Sequence, residues 1–308
     1  MKKLAFLTLL ASPAQADCAG DWAALSGALE KAGLTVNVAA PAAEWGGWCS
    51  ITALDVLAPG DFIPDYSAKS LKWRGKGLSG LYAFDAQPEH LEIDLDDFRI
   101  LTKTPDPVMT YLMRAQSVRG AIDLEFDADW NPSQKTLEIN TLELGFPGDN
   151  EIALQATLTG VDLSGRSAIM GSATSFALNR LQLGLETNGL FETYLLFPLF
   201  STLLSTEQPP ETQMAALKTQ INSGIAALPD TSFPTETKAS LTAMIDQLPN
   251  PSGTLNLTMT SDKGIGPAQT LPFILTGVPR SVQDLAPLFN GMNVTATFSP
   301  SEQEADDD

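Results

Sequence analysis

Two short stretches of the chain set carboxylates at every second residue. LEIDLDDFRI (91–100) alternates Leu91, Ile93 and Leu95 with Glu92, Asp94 and Asp96, and AIDLEFDADW (121–130) alternates Ile122, Leu124 and Phe126 with Asp123, Glu125 and Asp127. Such rows could bind a cation, and a pair of them could serve as acid and base in hydrolysis. On a strand, however, side chains two apart point the same way at roughly 6.6–7 Å spacing, which is wide for sharing one ion. A sheet with one wet and one apolar face needs the same alternation and no ligand, and that is the plainer expectation.

The sharper metal candidate is DADWNPSQKTLE (127–138). There Asp127, Asp129, Asn131, Ser133 and Glu138 fall at positions 1, 3, 5, 7 and 12 of a helix-loop-helix calcium loop. Position six is Pro132 where that loop requires glycine, and the flanks alternate like strands, so the segment reads as a hairpin turn. Catalytic constellations are scarcer still. His90 is the only histidine, no GxSxG elbow supplies a nucleophile for it, and His90 beside Pro88 and Glu89 reads as a surface residue at a strand edge. Zinc sites need His and Cys clusters that the chain lacks. A carboxylate hydrolase is the remaining enzymatic alternative, but with 37 acidic residues no pair is singled out. The expectation is a non-catalytic protein without a cofactor.

Residues 1–16 read as a secretory leader: Lys2 and Lys3, an apolar run from Leu4 to Leu10, and the small-residue cleavage pattern at Ala14-Gln15-Ala16. No later stretch offers the roughly 18 consecutive apolar residues of a membrane helix. The expected location is therefore periplasmic or secreted. The formal charge of −19, which losing Lys2 and Lys3 makes more negative, argues against a nucleic-acid partner, because that binding depends on Lys and Arg neutralising phosphates. In an oxidising compartment Cys18 and Cys49, the only cysteines, are expected to form a disulfide stapling the helix of residues 21–34 to the strand after EWGGWC. Trp45 and Trp48 in that motif suggest a sugar-stacking platform or, more plainly, aromatics packed over the disulfide.

Period-two patterns mark strands at 35–39, 50–56, 91–97, 121–127, 136–146, 151–163, 254–261, 270–277 and 293–299. In TLEINTLELGF (136–146) the apolar phase slips between Ile139 and Leu142, so a bulge is expected near Thr141. Between these strands lie turn signals such as Pro105-Asp106-Pro107 and Pro147-Gly148-Asp149-Asn150. From about residue 190 the period becomes helical. GLFETYLLFPLFSTLL (189–204) is apolar on every side, and amphipathic helices follow at 209–228 and 234–248, with a short one at 281–289. The expected fold class is α+β: one domain over 17–299 with a large curved, mostly antiparallel β-sheet. Its single apolar face is covered by the helical segment 190–248, and 300–308 form a disordered acidic tail.

LQLGLETNGLF (181–191), the helices after it and PNPSGTLNLTMTSDKGIG (249–266) resemble in texture secreted bacterial envelope proteins of the AsmA-like kind. That resemblance implies one-faced sheets of alternating apolar residues and a role in envelope maintenance or lipid handling, with no functional residue to carry over. The leading expectation is an envelope protein holding a lipid or other hydrophobic ligand between sheet and helices. Leu183, Leu185, Phe191, Tyr194, Phe197 and Phe200 would line the space from the sheet and the apolar run. Met214, Leu217, Ile221, Leu241, Met244 and Ile245 would line it from the helices. The same side chains could form an ordinary dry core. A module binding an envelope protein partner through strand edges is the second reading.

Overall fold

The computed structural model describes residues 17–83, 85–196, 204, 208–267, 269 and 286–301. The leader, Phe197, Phe200, the strand expected at 270–277 and tail residues 302–308 lie outside the described residues, as does most of the short helix at 281–289.

Eleven strands form one open antiparallel sheet: β1 (Thr35–Asn37), β2 (Ala42–Ala43), β3 (Cys49–Leu57), β4 (Asp65–Lys76), β5 (His90–Leu101), β6 (Ile122–Asn131), β7 (Thr136–Phe146), β8 (Asn150–Thr159), β9 (Ala177–Thr187), β10 (Gly253–Ile265) and β11 (Met292–Pro300). From β3 onward each strand pairs with the next in sequence, while β1 and β2 both pair with β3. The expected α+β class and antiparallel sheet are present. Register explains the alternation. Ile51, Leu71, Leu95, Leu124, Leu144, Ile152, Leu185, Leu255 and Phe298 are successive cross-strand partners. Directly opposed residues lie on the same side of a sheet, so this is an unbroken apolar row across nine strands. A second row two residues away runs through Trp73, Ile93, Phe126, Leu142, Leu154, Leu183 and Leu257. The slip foreseen near Thr141 is a bulge: Ile139 opposes Ala156 and Leu142 opposes Leu154, leaving two residues of β7 against one of β8.

Packing is densest at the two ends of this surface. At the first, α1 (Cys18–Lys31) is capped by Asp17, whose carboxylate accepts from Gly20 N at 3.0 Å. The Cys18–Cys49 disulfide ties it to the start of β3, with 5.3 Å between Cα atoms. Cys18, Trp22, Cys49, Ile51, Trp73 and Leu78 form a buried cluster there, with the Trp22 and Trp73 rings 6.1 Å apart. Leu78 comes from α2 (Leu78–Tyr82), a turn of helix on the β4–β5 connection. At the far end Phe233, Met259, Met292 and Val294 form a second cluster, joined by Leu178, Leu181, Leu228 and Leu257. Helices expected at 209–228 and 234–248 run over Pro210–Ala226 and Thr235–Asp246; counting α3 (Pro107–Ser117) and α4 (Arg166–Ser172), they are α5 and α6. Pro210 and Pro234 sit at their starts, where a missing amide hydrogen costs nothing. α6 packs on β11 and α5 on α6, so the helical segment meets the sheet at its last strands.

Both sheet edges are partly occupied. β1 and β2 occupy the free side of β3. On β11, Val294 N donates to Ser232 O at 2.8 Å, Ala296 N donates to Thr237 Oγ1 at 3.2 Å, and Thr237 Oγ1 donates to Val294 O at 3.3 Å. Unpaired edge groups template aggregation, and these contacts engage some of them.

β4, β9 and α3 are among the elements that depart from the sequence reading. β4 escapes it because its Lys and Arg side chains mask the alternation. β9 shows there only as a leucine-rich texture. α3 follows Pro105-Asp106-Pro107, which reads as a plain turn. It is in fact a helix start: Asp106 Oδ1 accepts from Val108 N at 2.8 Å and from Met109 N at 3.3 Å, and Pro107 takes the first helical position. α3 is fastened by Asp65, only 3% exposed, which pairs with Lys103 Nζ at 2.7 Å and Arg114 Nη2 at 2.8 Å. Ala58 N donates to the same carboxylate at 3.0 Å. Burial alone would raise the Asp65 pKa, but the Lys103 and Ala58 hydrogen bonds and the two cations outweigh it and hold the carboxyl below its usual value.

Two stability outcomes follow. Replacing Cys18 and Cys49 by Ser opens a loop with a sequence separation of 31 and should cost about 3–4 kcal/mol in urea titrations under oxidising conditions; an unchanged midpoint would exclude the staple as a stabiliser. Asp65→Asn leaves Lys103 and Arg114 without their buried counter-charge and should cost about 3 kcal/mol. Because the folded carboxyl titrates below its unfolded value, the wild-type advantage over the variant is present above pH ~4 and shrinks as pH falls through the folded pKa.

Candidate functional site

The carboxylates of LEIDLDD are answered by the basic residues of β4. Register sets Lys72 opposite Asp94 and Arg74 opposite Glu92. Lys72 Nζ lies 3.3 Å from Asp94 Oδ2 and Lys69 Nζ 2.7 Å from Asp96 Oδ2, while Lys76 pairs with Glu89. Arg74 grips Glu92 with both ends of its guanidinium, Nε to Oε1 at 2.5 Å and Nη2 to Oε2 at 2.7 Å. Its guanidinium carbon sits 4.6 Å from the centre of the Trp48 ring. Trp45, by contrast, is 96% exposed and does not pack over the disulfide.

His90 opens β5 on this polar side. Its Nε2 lies 2.8 Å from Glu92 Oε1, and its Nδ1 lies 2.9 Å from Asp129 Oδ1 and 3.9 Å from Asp127 Oδ1. Asn140, in the β7 bulge, donates to Asp129 Oδ2 at 2.8 Å and Asp127 Oδ1 at 3.4 Å. Burial by itself would lower the His90 pKa. The two carboxylate hydrogen bonds and charges reverse that and raise it, whereas burial's upward push on Glu92 is overcome by Arg74 and His90. The histidine expected to be an ordinary surface residue is thus the centre of a network from Trp48 through Arg74, Glu92 and His90 to Asp129 and Asn140. The β4–β5, β5–β6 and β6–β7 pairings together bring these residues into one network.

The calcium-loop residues sit on a hairpin. Asp127, Asp129 and Asn131 belong to β6, Glu138 to β7, and Asn131 Oδ1 caps the turn by accepting from Ser133 N at 3.1 Å and Gln134 N at 3.2 Å. Asp127 and Asp129 instead group with His90, their ligand atoms all within 4.8 Å of one another, so a divalent ion here would take one imidazole and two carboxylates. His90 and Asp129 line an open hollow of about 490 Å³ with Lys76, Glu89, Trp130 and Glu138. Further along, Asp94, Glu125 and Glu143 are direct cross-strand neighbours, a like-charge row only partly offset by Lys72.

The residues expected to line a hydrophobic space are distributed over the apolar rows and the helices. Leu183 and Leu185 lie on β9 in the two rows, half-buried. Phe191 is buried, and the Tyr194 ring packs 5.1 Å from Phe146 at the end of β7. Met214, Leu217 and Ile221 on α5 and Leu241, Met244 and Ile245 on α6 are half-buried. No described helix is long and apolar enough to cross a membrane. No protein-family model matches the chain, and no curated protein proved similar to it.

Protonated His90 is the better bound form, since its folded pKa lies above the unfolded value near 6.5. Its contribution to stability is complete below pH ~6.5 and is lost as pH rises through the folded pKa. Urea titrations at intervals from about pH 5.5 to 8.5 should show wild-type stability declining with pH relative to His90→Gln, whose profile lacks this component. Parallel profiles would mean that the bridge is energetically silent.

Proposed function

We propose that this is a non-catalytic protein of an oxidising, extracytoplasmic compartment that holds a lipid or another long hydrophobic ligand against the apolar rows of its sheet. One observation carries the reading. The rows are buried at Ile51, 1%, Trp73, 6%, and Leu255, 6% exposed, yet half-buried across the strands between them. There Leu95, Leu124, Leu144, Ile152, Leu185, Phe126, Leu142 and Leu154 retain accessible surface. A dry core would bury aliphatic side chains at this density, and apolar area left in water is unfavourable at about 25 cal/mol per Å². The helices and the α1 cluster would then act as stops at either end of a ligand-bearing strip. The disulfide supports the compartment, and the one-faced alternating sheet is the level at which the AsmA-like resemblance supports lipid handling.

The competing module that binds a protein through strand edges would have less edge to use, since β1, β2, Ser232 and Thr237 occupy part of it. For the hydrolase alternative, Glu92 has the wrong polarity: its pKa is lowered, whereas a general acid needs one that is raised.

Native mass spectrometry after detergent-free purification should detect co-purified lipid, and Leu142→Asp with Leu183→Asp should abolish it. A wild-type protein that is bare, and that does not bind a fluorescent fatty acid, would overturn the proposal.

A further inference from the structure

Many of the exposed large apolar side chains lie at one end of the molecule. Phe62 is 83% exposed and Ile63 51% on the β3–β4 loop, and on α3 Val108, Met109, Tyr111 and Leu112 are 64%, 45%, 71% and 48% exposed. Ile100, 52% exposed near the end of β5, continues the patch onto the sheet, where its cross-strand partner Tyr66 stacks on Phe98 at 6.0 Å. Scattered single hydrophobic residues on a surface need no explanation, but this many on segments tied together through Asp65 do.

This end is built to keep its shape. Asp65 joins the loop to α3 through Arg114 and to the end of β5 through Lys103, and Lys103 Nζ also donates to Ala58 O at 2.7 Å. Thr104 and Thr110 exchange hydrogen bonds at 3.0 Å across the start of the helix. The apolar side chains are therefore presented by a braced helix and loop.

Charge selects the partner. Residues 58–66 and 101–121 hold three acids, Asp61, Asp65 and Asp106, against three bases, Lys103, Arg114 and Arg119, so this end is neutral in a chain of formal charge −19. Of those acids Asp65 is buried, and Asp106, exposed, caps the helix. After Asp106, the helix and the turn that follows carry Arg114 and Arg119 and no acid. The net repulsion that the rest of the surface would feel from lipid phosphates is screened beyond about 8 Å at physiological salt, so the local balance at this end decides contact. Exposed Phe62, Leu112 and amphipathic Tyr111 together with exposed Arg114 and Arg119 are the composition with which an interfacial segment meets acyl chains, the headgroup boundary and phosphates.

We propose that α3 and the Phe62–Ile63 loop form a membrane-contact surface that seats the protein on a phospholipid bilayer by shallow insertion. The proposal stands independently of ligand binding on the apolar rows, which the Leu142→Asp, Leu183→Asp variant tests separately.

Flotation with vesicles of phosphatidylcholine alone and of phosphatidylcholine with phosphatidylglycerol decides it. Wild type should float with the mixed vesicles, and Phe62→Asp with Leu112→Asp should lower the bound fraction at least about tenfold while leaving thermal unfolding unchanged, since both side chains face water. Tyr111→Trp supplies a second readout: the emission added by the new indole should shift to the blue on vesicle addition and be quenched by brominated lipid. The proposal falls if wild type floats with neither composition, if the double variant floats as well as wild type, or if the emission added by Tyr111→Trp is insensitive to vesicles. It falls equally if sedimentation velocity reveals a dimer that the double variant disperses, because the patch would then belong to a second copy of the chain.

Discussion

A sheet of this width works only if the two-residue side-chain period stays in phase from strand to strand. A single unpaired residue inverts everything beyond it, placing leucines in water and aspartates among them. The chain meets this constraint by absorbing surplus residues in bulges. Register shifts occur between Leu95 and Phe98 on β5 and between Ile139 and Leu142 on β7, and in each case apolar residues oppose apolar residues on both sides of the shift. Asp97, within the first of these, has φ of 56°, and its amide donates to the Asp123 carboxylate at 2.8 Å. Asn140, displaced by the second, bridges Asp127 and Asp129. Irregularities that preserve the apolar rows thus also shape the polar side.

Keeping the rows in phase forces the acidic residues into rows too. β4 relieves the first of them by setting Lys72 and Arg74 directly opposite Asp94 and Glu92. β6 has no basic strand beside it, so its acids meet His90 at one position and further acids at Glu125. Burial together with Glu143 and Glu186 raises the pKa of Glu151 on β8, another sign of crowded negative charge. The polar side therefore runs from a well-paired region on β4 and β5 to an unrelieved one on β6 through β8. The neutral, apolar α3 end lies outside that gradient, held by its own buried ion group. Coverage of the apolar side follows a similar economy. Disulfide-bound α1 and the Phe233 cluster bury the two ends of the rows, and the strands between them remain half-buried.

Most strand positions were legible because alternation is a local signal. β7 spans the predicted 136–146, and the helices at 210–226 and 235–246 lie within two residues of their predicted limits. β4 was hidden because Lys69, Lys72, Arg74 and Lys76 have long side chains whose role depends on the strand opposite. α3 was hidden because Asp106 and Pro107 serve equally as turn residues and as a helix start. The Asp127, Asp129, Asn131, Ser133 and Glu138 pattern failed as a loop because β pairing claims its backbone.

By itself, the sequence determined the antiparallel class, the alternation of apolar and polar residues, the disulfide pairing and the two proline-led helices, because each rests on neighbours within a few turns or on there being only two cysteines. Tertiary structure alone decided which carboxylates found cations, that His90 sits between Glu92 and Asp129, and that Phe62 and Tyr111 share one end of the molecule. Those outcomes depend on register between strands separated by tens of residues, and register is set by packing of the whole sheet rather than by any local pattern.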